Sequence, residues 1–187
     1  MSNAIKNFYE DYVWLSNFWP SEVVYEDMKF PTVENAYQAA KASKENRIPF
    51  LTVLPGQAKR LGKNVKMTKE RLQTWERIKD NVMLNLLEQK FTHGTPLAKK
   101  LLDTGDVDII EGNCWGDTYW GVCDGVGLNK LGILLMNQRA YLKEIRCEKS
   151  PTGRHEHGDT QLWYWCKYCG KDLTPEIPYA DAPGRGL

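Results

Sequence analysis

The segment from Lys69 to Phe91 reads as one long helix: Leu72, Trp75, Ile78, Val82 and Leu86 recur at steps of three and four, and Thr68 stands ready to cap it. A helix of that length crosses a small domain and has to lay its apolar face on other elements. Those partners are short. Pro31-Thr32 opens a helix reaching about Ser43, with Val33, Ala36, Tyr37 and Ala40 as its apolar stripe. A brief helix is predicted from Gln57 to Leu61, stopped by Gly62, and another from Thr95-Pro96 through Leu102. Asn129 is expected to cap a last helix, whose buried side is expected to carry Leu131, Leu134, Leu135, Leu142 and Ile145. Strand signals are few: Ile5 to Tyr9, Val23 to Tyr25 and Met28 to Phe30 around a Glu26-Asp27 turn, and Val107 to Ile110. The expected class is α+β, mainly helical with a few short strands, followed by a small zinc-ribbon-like appendage.

With 187 residues, 25 Lys+Arg against 24 Asp+Glu, and a net charge of +1, the chain lacks the basic excess of a general nucleic-acid binder. Its 42% hydrophobic content excludes general disorder. No apolar run is long enough to cross a membrane, and the polar start MSNAIKNFYE has no signal-peptide core, so a cytoplasmic protein without a membrane partner is expected. The organisation predicted is a main domain over 1–145, a zinc-ribbon-like extension over 146–175 and a flexible Pro-rich tail over 176–187.

Two groups of residues can carry chemistry. Glu34, Gln38 and Lys41 fall at i, i+4 and i+7 on one face of the first helix, beside its apolar stripe. Taken alone, such a pattern is usually a solvated surface. The Gly-rich stretch 112–129 weighs against that alternative, because a loop with five glycines and the rings of Trp115, Tyr119 and Trp120 is costly to order and offers a second carboxylate in Asp117. A pair of carboxylates suits general acid–base work, one stabilising developing positive charge while a carboxylate activates water. Trp75 or Trp115 offers an indole surface for a base, although Trp75 also fits a plain core position on its helix. Lys41, with Lys59, Arg60 and Lys63, can receive a phosphate, the alternative for the Lys59–Lys66 run being a solvated face. Asn17 and Asn129 are candidates for hydrogen bonds to a ligand or to backbone, with Asn129 also able to cap a helix.

Four segments resemble the NADAR, or YbiA-like, domain family: Asn7 to Tyr9 with LSNF at Leu15 to Phe18; PTVENAYQAAKA at Pro31 to Ala42; the Trp75 helix with Met83 and Lys90-Phe91; and GNCWGDTYWG through LNKLGILLMNQR, Gly112 to Arg139. Leu15 departs from the Phe often found there. The resemblance covers about residues 5–145 in order. It implies an N-glycosidase in which Glu34, Asp117 and Trp75 are catalytic and Asn17, Phe18, Gln38, Lys41, Trp115 and Asn129 bind substrate. The substrate class it implies is a small phosphorylated nucleotide-like molecule, first a phosphoribosylamino-pyrimidine of riboflavin biosynthesis. The alternatives are ADP-ribose removal from guanine in nucleic acid and a non-catalytic NAD or ADP-ribose binding module. No cofactor is expected for catalysis.

The remaining signal lies beyond the resemblance. Cys166-Lys-Tyr-Cys169-Gly170 reads as a metal knuckle supplying two ligands, and tetrahedral zinc needs four. Cys147 with His155 or His157 completes a Cys3His set, 18 residues separating Cys147 from Cys166. Four protein ligands leave no open position, so the zinc expected here is structural. Reduced cysteines without metal are the alternative.

Overall fold

The computed structural model describes residues 4–156 and 166–173. They divide into two compact units, Met1–Leu142 and Lys143–Leu187, within the described residues of each. His157 and the tail 176–187 lie outside the described residues.

The first unit is α+β and mainly helical. β1 (Ala4–Ile5) leads to a 3-10 turn over Glu10–Leu15, then β2 (Val23–Tyr25) and β3 (Met28–Phe30) form an antiparallel hairpin. Its turn residues Glu26 and Asp27 both sit at positive φ, +43° and +64°, the hand that matches strand twist. α1 (Val33–Ala40), α2 (Pro55–Lys63), α3 (Lys69–Lys90) and α4 (Pro96–Asp103) follow. β4 (Asp108–Ile109) pairs in parallel with β1. In the stretch expected to be mostly loop, β5 (Gly112–Asn113) and β6 (Val122–Cys123) form a further parallel pair, and α5 (Lys130–Ile145) closes the order.

Three helices start where a threonine can cap them. Thr32, Thr68 and Thr95 accept from the backbone N–H three residues on, at 3.1, 3.3 and 3.2 Å. Two expectations change. α2 runs through Gly62 instead of ending there. Gly62 is buried against α1, and a Cβ at this position would lie 1.9 Å from Gln38 Oε1, so the glycine serves close helix packing and not termination. On α3, Leu72 and Ile78 are exposed, while Trp75, Val82, Met83, Leu86, Leu87 and Lys90 are buried. The inward face is thus rotated toward the Met83–Leu87–Lys90 side, because α3 packs on both α1 and the hairpin. On α5, Gln138 and Arg139 are buried with Leu131, Leu135 and Leu142, whereas Leu134 and Ile145 are half-buried.

Lys90 is 2% exposed, and its Nζ donates to the carbonyls of Leu15 (3.2 Å) and Ser16 (2.7 Å). It ties the segment leading to Asn17 down onto α3. Burial pulls this ammonium down to about 7, far below the usual lysine range. The folded state therefore binds fewer protons than the unfolded chain between pH 7 and about 10.4, and this residue's contribution to stability rises with pH across that window. Chemical denaturation at pH 6, 8 and 10 is expected to show wild type gaining on Lys90→Met as pH rises; a pH-independent difference would contradict it.

Candidate active site

α1 is buried along its whole length, an uncommon state for a helix carrying Glu, Asn and Gln. The polar residues divide two tasks. Asn35 anchors the helix, its Nδ2 donating to Phe50 O and Val53 O at 2.8 Å each, while Thr32 donates to Asn35 Oδ1 at 2.6 Å. Glu34, Gln38 and Lys41 turn instead to a cavity of about 530 Å³, a size suited to a nucleotide-like ligand. They are linked in series: Gln38 Nε2 donates to Glu34 Oε1 (2.9 Å), and Lys41 Nζ donates to Gln38 Oε1 (2.7 Å). Burial lifts the Glu34 carboxyl above the ordinary range, against the Gln38 bond and the positive charges of Lys59 and Lys41. Burial also lowers the Lys41 ammonium, countered first by Glu34.

The opposite wall comes from the Gly-rich loop. Asn113 Oδ1 accepts from the backbone of Asp117 (3.0 Å) and Trp115 (3.3 Å), and its Nδ2 donates to Asp117 O (2.8 Å), so one side chain folds the turn. Asp117 Oδ1 then accepts from the N–H groups of Tyr119 (3.1 Å) and Trp120 (2.9 Å). Tyr119 OH donates to Asp80 Oδ1 (2.6 Å), and Lys130 holds the other oxygen (2.9 Å), fastening the loop to α3 and α5. Trp115 stands half in solvent with Lys59 Nζ 5.1 Å from its ring, and Lys59 and Lys63 of α2 complete a basic rim.

Of the residues expected at the site, Asn17, Phe18, Glu34, Gln38, Lys41, Trp115 and Asp117 line this one cavity. Trp75 and Asn129 do not. Trp75 is 6% exposed and packs behind Tyr37 (ring centroids 5.1 Å apart), with Lys41 Nζ 5.8 Å from its ring. Asn129 gives both side-chain atoms to the backbone, donating to Ile109 O (2.9 Å) and accepting from Glu111 N (3.0 Å). It sits at φ +50° and braces β4 instead of meeting a ligand. The sequence reading passed over Glu111, which also lines the cavity. Its signal was a carboxyl directly after Val107–Ile110, six positions before Asp117.

Among the described residues, two buried side-chain polar atoms have no hydrogen-bond partner: Asn17 Oδ1 and Glu111 Oε2. Both residues line this cavity. Buried polar groups are otherwise nearly always paired, so these two atoms stand out in the cavity lining.

In the second unit, Cys147, His155, Cys166 and Cys169 present ligand atoms that all lie within 4.8 Å of one another, a cluster able to hold a metal ion. Cys147 Sγ is 3.8 Å from Cys166 Sγ, and Cys169 Sγ is 3.2 Å from His155 Nδ1. The knuckle turns at Gly170, φ +73°, whose N–H donates to Cys166 O at 2.8 Å.

No helix among the described residues is long and apolar enough to cross a membrane. The NADAR domain matches residues 6–143. The chain is 35% identical over 150 residues to N-glycosidase YbiA of Shigella boydii, covering 76% of this chain and 91% of that protein. It is 34% identical over 154 residues to an N-glycosidase of Nostoc punctiforme (79% and 95%). It is 33% identical over 141 residues to a riboflavin biosynthesis protein of Vibrio vulnificus (72% and 37%). The NMR structure of E. coli YbiA superposes with a TM-score of 0.65 at 33% identity, covering 77% of this chain and 88% of that one. A match of this extent over the same residues that build the cavity places the chain in the NADAR domain family.

Proposed function

We propose that this N-glycosidase hydrolyses the C1′–N bond of a small phosphorylated riboside, with phosphoribosylamino-pyrimidine intermediates of riboflavin biosynthesis as its substrate. The observation that carries the reading is the cavity itself: Glu34 and Asp117 share it with the two unpartnered polar atoms, beneath a rim of Lys59 and Lys63. Related proteins named as N-glycosidases and as a riboflavin biosynthesis protein support the reaction and its metabolic setting.

The flat base lies against the exposed Trp115 ring and Phe18, and the phosphate meets Lys59, Lys63 and Lys41. Asn17 Oδ1 accepts from a ribose hydroxyl. As the C1′–N bond lengthens, positive charge spreads over C1′ and the ring oxygen. Asp117 faces that charge with a carboxylate held at Oδ1 by two backbone N–H groups. Glu34, made more basic by burial, takes the proton of the attacking water. Gln38 and Lys41 hold Glu34 in place, and Trp75 acts through Tyr37 and Lys41 without touching substrate. The Cys3His cluster takes a structural zinc ion, since its four ligands leave no open position for catalysis. A reducing compartment such as the cytoplasm keeps those thiols available to metal, and we place the protein there.

The test offers the protein phosphoribosylamino-pyrimidine, NAD and ADP-ribosylated guanosine side by side and follows free base, ribose 5-phosphate and ADP-ribose. The first is expected to be cleaved best. Preferential release from ADP-ribosylated guanosine moves the substrate to nucleic acid, and release from none leaves only a binding role.

A further inference from the structure

Cleaving an unactivated C1′–N bond needs more than a base and an electrostatic partner. The nitrogen departs as an anion unless it receives a proton, so the site requires a group that is protonated at working pH and reaches the leaving atom. Glu34 and Asp117 are already engaged on the water and the ribose.

Glu111 stands in the same cavity. Its backbone is immobilised on both sides: its N–H donates to Asn129 Oδ1 (3.0 Å) and its carbonyl accepts from Val122 N (2.9 Å). Its Oε2 is buried and has no hydrogen-bond partner among the described residues, an arrangement that suits a neutral carboxyl. The charged groups facing it are Asp117 on the loop, Glu34 on α1 and Lys59 on α2. We propose that Glu111 is the general acid of this enzyme, its carboxyl proton passing to the departing nitrogen. The proposal rests on the N-glycosidase reading above.

The step balances. The C1′–N electron pair goes to nitrogen, which takes the Glu111 proton and leaves as the neutral amine. Water adds its oxygen to C1′ and yields one proton to Glu34. Exchange with solvent restores Glu111 and empties Glu34. Burial, then repulsion from Asp117, pushes the Glu111 carboxyl up to about 8, so it remains mostly protonated at neutral pH.

The experiment compares wild type with Glu111→Gln on two substrates. One is phosphoribosylamino-pyrimidine, whose nitrogen needs a proton; the other is 4-nitrophenyl ribofuranoside 5-phosphate, whose phenolate leaves without one. The variant is expected to lose roughly 10²- to 10⁴-fold in kcat on the first and far less on the second. The wild-type kcat/KM is expected to fall above about pH 8, and this limb to vanish in Glu111→Gln. Equal losses on both substrates, or an alkaline limb that survives in the variant, overturn the assignment. A carboxylic-acid carbonyl band in the infrared at pH 7, present in wild type and missing from Glu111→Gln, reports the proton directly. Its absence from wild type overturns the proposal whatever the kinetics. Failure of the N-glycosidase reading looks different: wild type releases nothing from either substrate, and the Glu111 role falls with it.

Discussion

Glu34→Gln is expected to fold as wild type does and to lose base release by about 10³-fold or more, equivalent to roughly 4 kcal/mol of transition-state stabilisation. The substitution keeps the side chain's shape and an oxygen to accept from Gln38 Nε2, so the Glu34–Gln38–Lys41 series persists. What it removes is the group proposed to take the water proton. Stability moves the other way. A carboxyl raised by burial contributes its stability below the unfolded value of about 4.3 and loses it as pH rises through the folded one. Wild type therefore loses stability as pH rises that Glu34→Gln does not lose, and at pH 7 the variant is expected to melt at the same temperature or higher. Activity bought with local instability is the common condition of such sites. Turnover within tenfold of wild type, in a variant with an intact melting transition, would remove Glu34 from the mechanism.

The second large effect concerns the metal. The purified chain is expected to contain about one equivalent of zinc, and chelation or Cys169→Ser is expected to unfold the second unit. Among its described residues only Cys147, Ser150 and Cys166 are buried, so the ligands themselves are the interior. In zinc-finger peptides metal binding supplies on the order of 10 kcal/mol, far more than so small an apolar interior can replace. Tryptic cutting at Lys167 and Lys171, measured on the full chain, is expected to accelerate by at least about tenfold after zinc removal. Base release is expected to persist, because every residue lining the cavity precedes Leu142. Protein purified without metal, or a cutting rate unchanged by chelation, contradicts the structural role.

Helix starts were legible because capping is local. Thr32, Thr68 and Thr95 each satisfy an N–H three residues away, and no distant residue has to cooperate. The Glu26-Asp27 turn was legible for the same reason. The inward face of α3 was not. Leu72 and Ile78 fit the periodicity as well as Met83 and Leu87, and only contact with α1 and the hairpin decides among them. Gly62 read as a stop because a glycine's local meaning is termination, whereas its use here is to let Gln38 approach.

The site divides along the same line. Glu34, Gln38 and Lys41 were visible as a set because helical geometry alone puts them on one face. Cys147, His155, Cys166 and Cys169 were visible because few residue types hold zinc and their spacing restricts the closure. Asn129, expected at the site, does not line the cavity, whereas Glu111, which no motif singled out, does. In the chain they are a carboxyl after a strand and an amide before a helix, with nothing local to say which one lines the cavity. In the fold, β4 runs beside β1 and α5 starts beneath it, so Asn129 is consumed by the backbone of Ile109 and Glu111 while the Glu111 carboxyl is buried in the cavity. Periodicity, capping and ligand chemistry act over a few residues and can be read along the chain. Burial, unpartnered atoms and shifted proton affinities arise from neighbours far apart in sequence, and they exist only once the chain has closed around them.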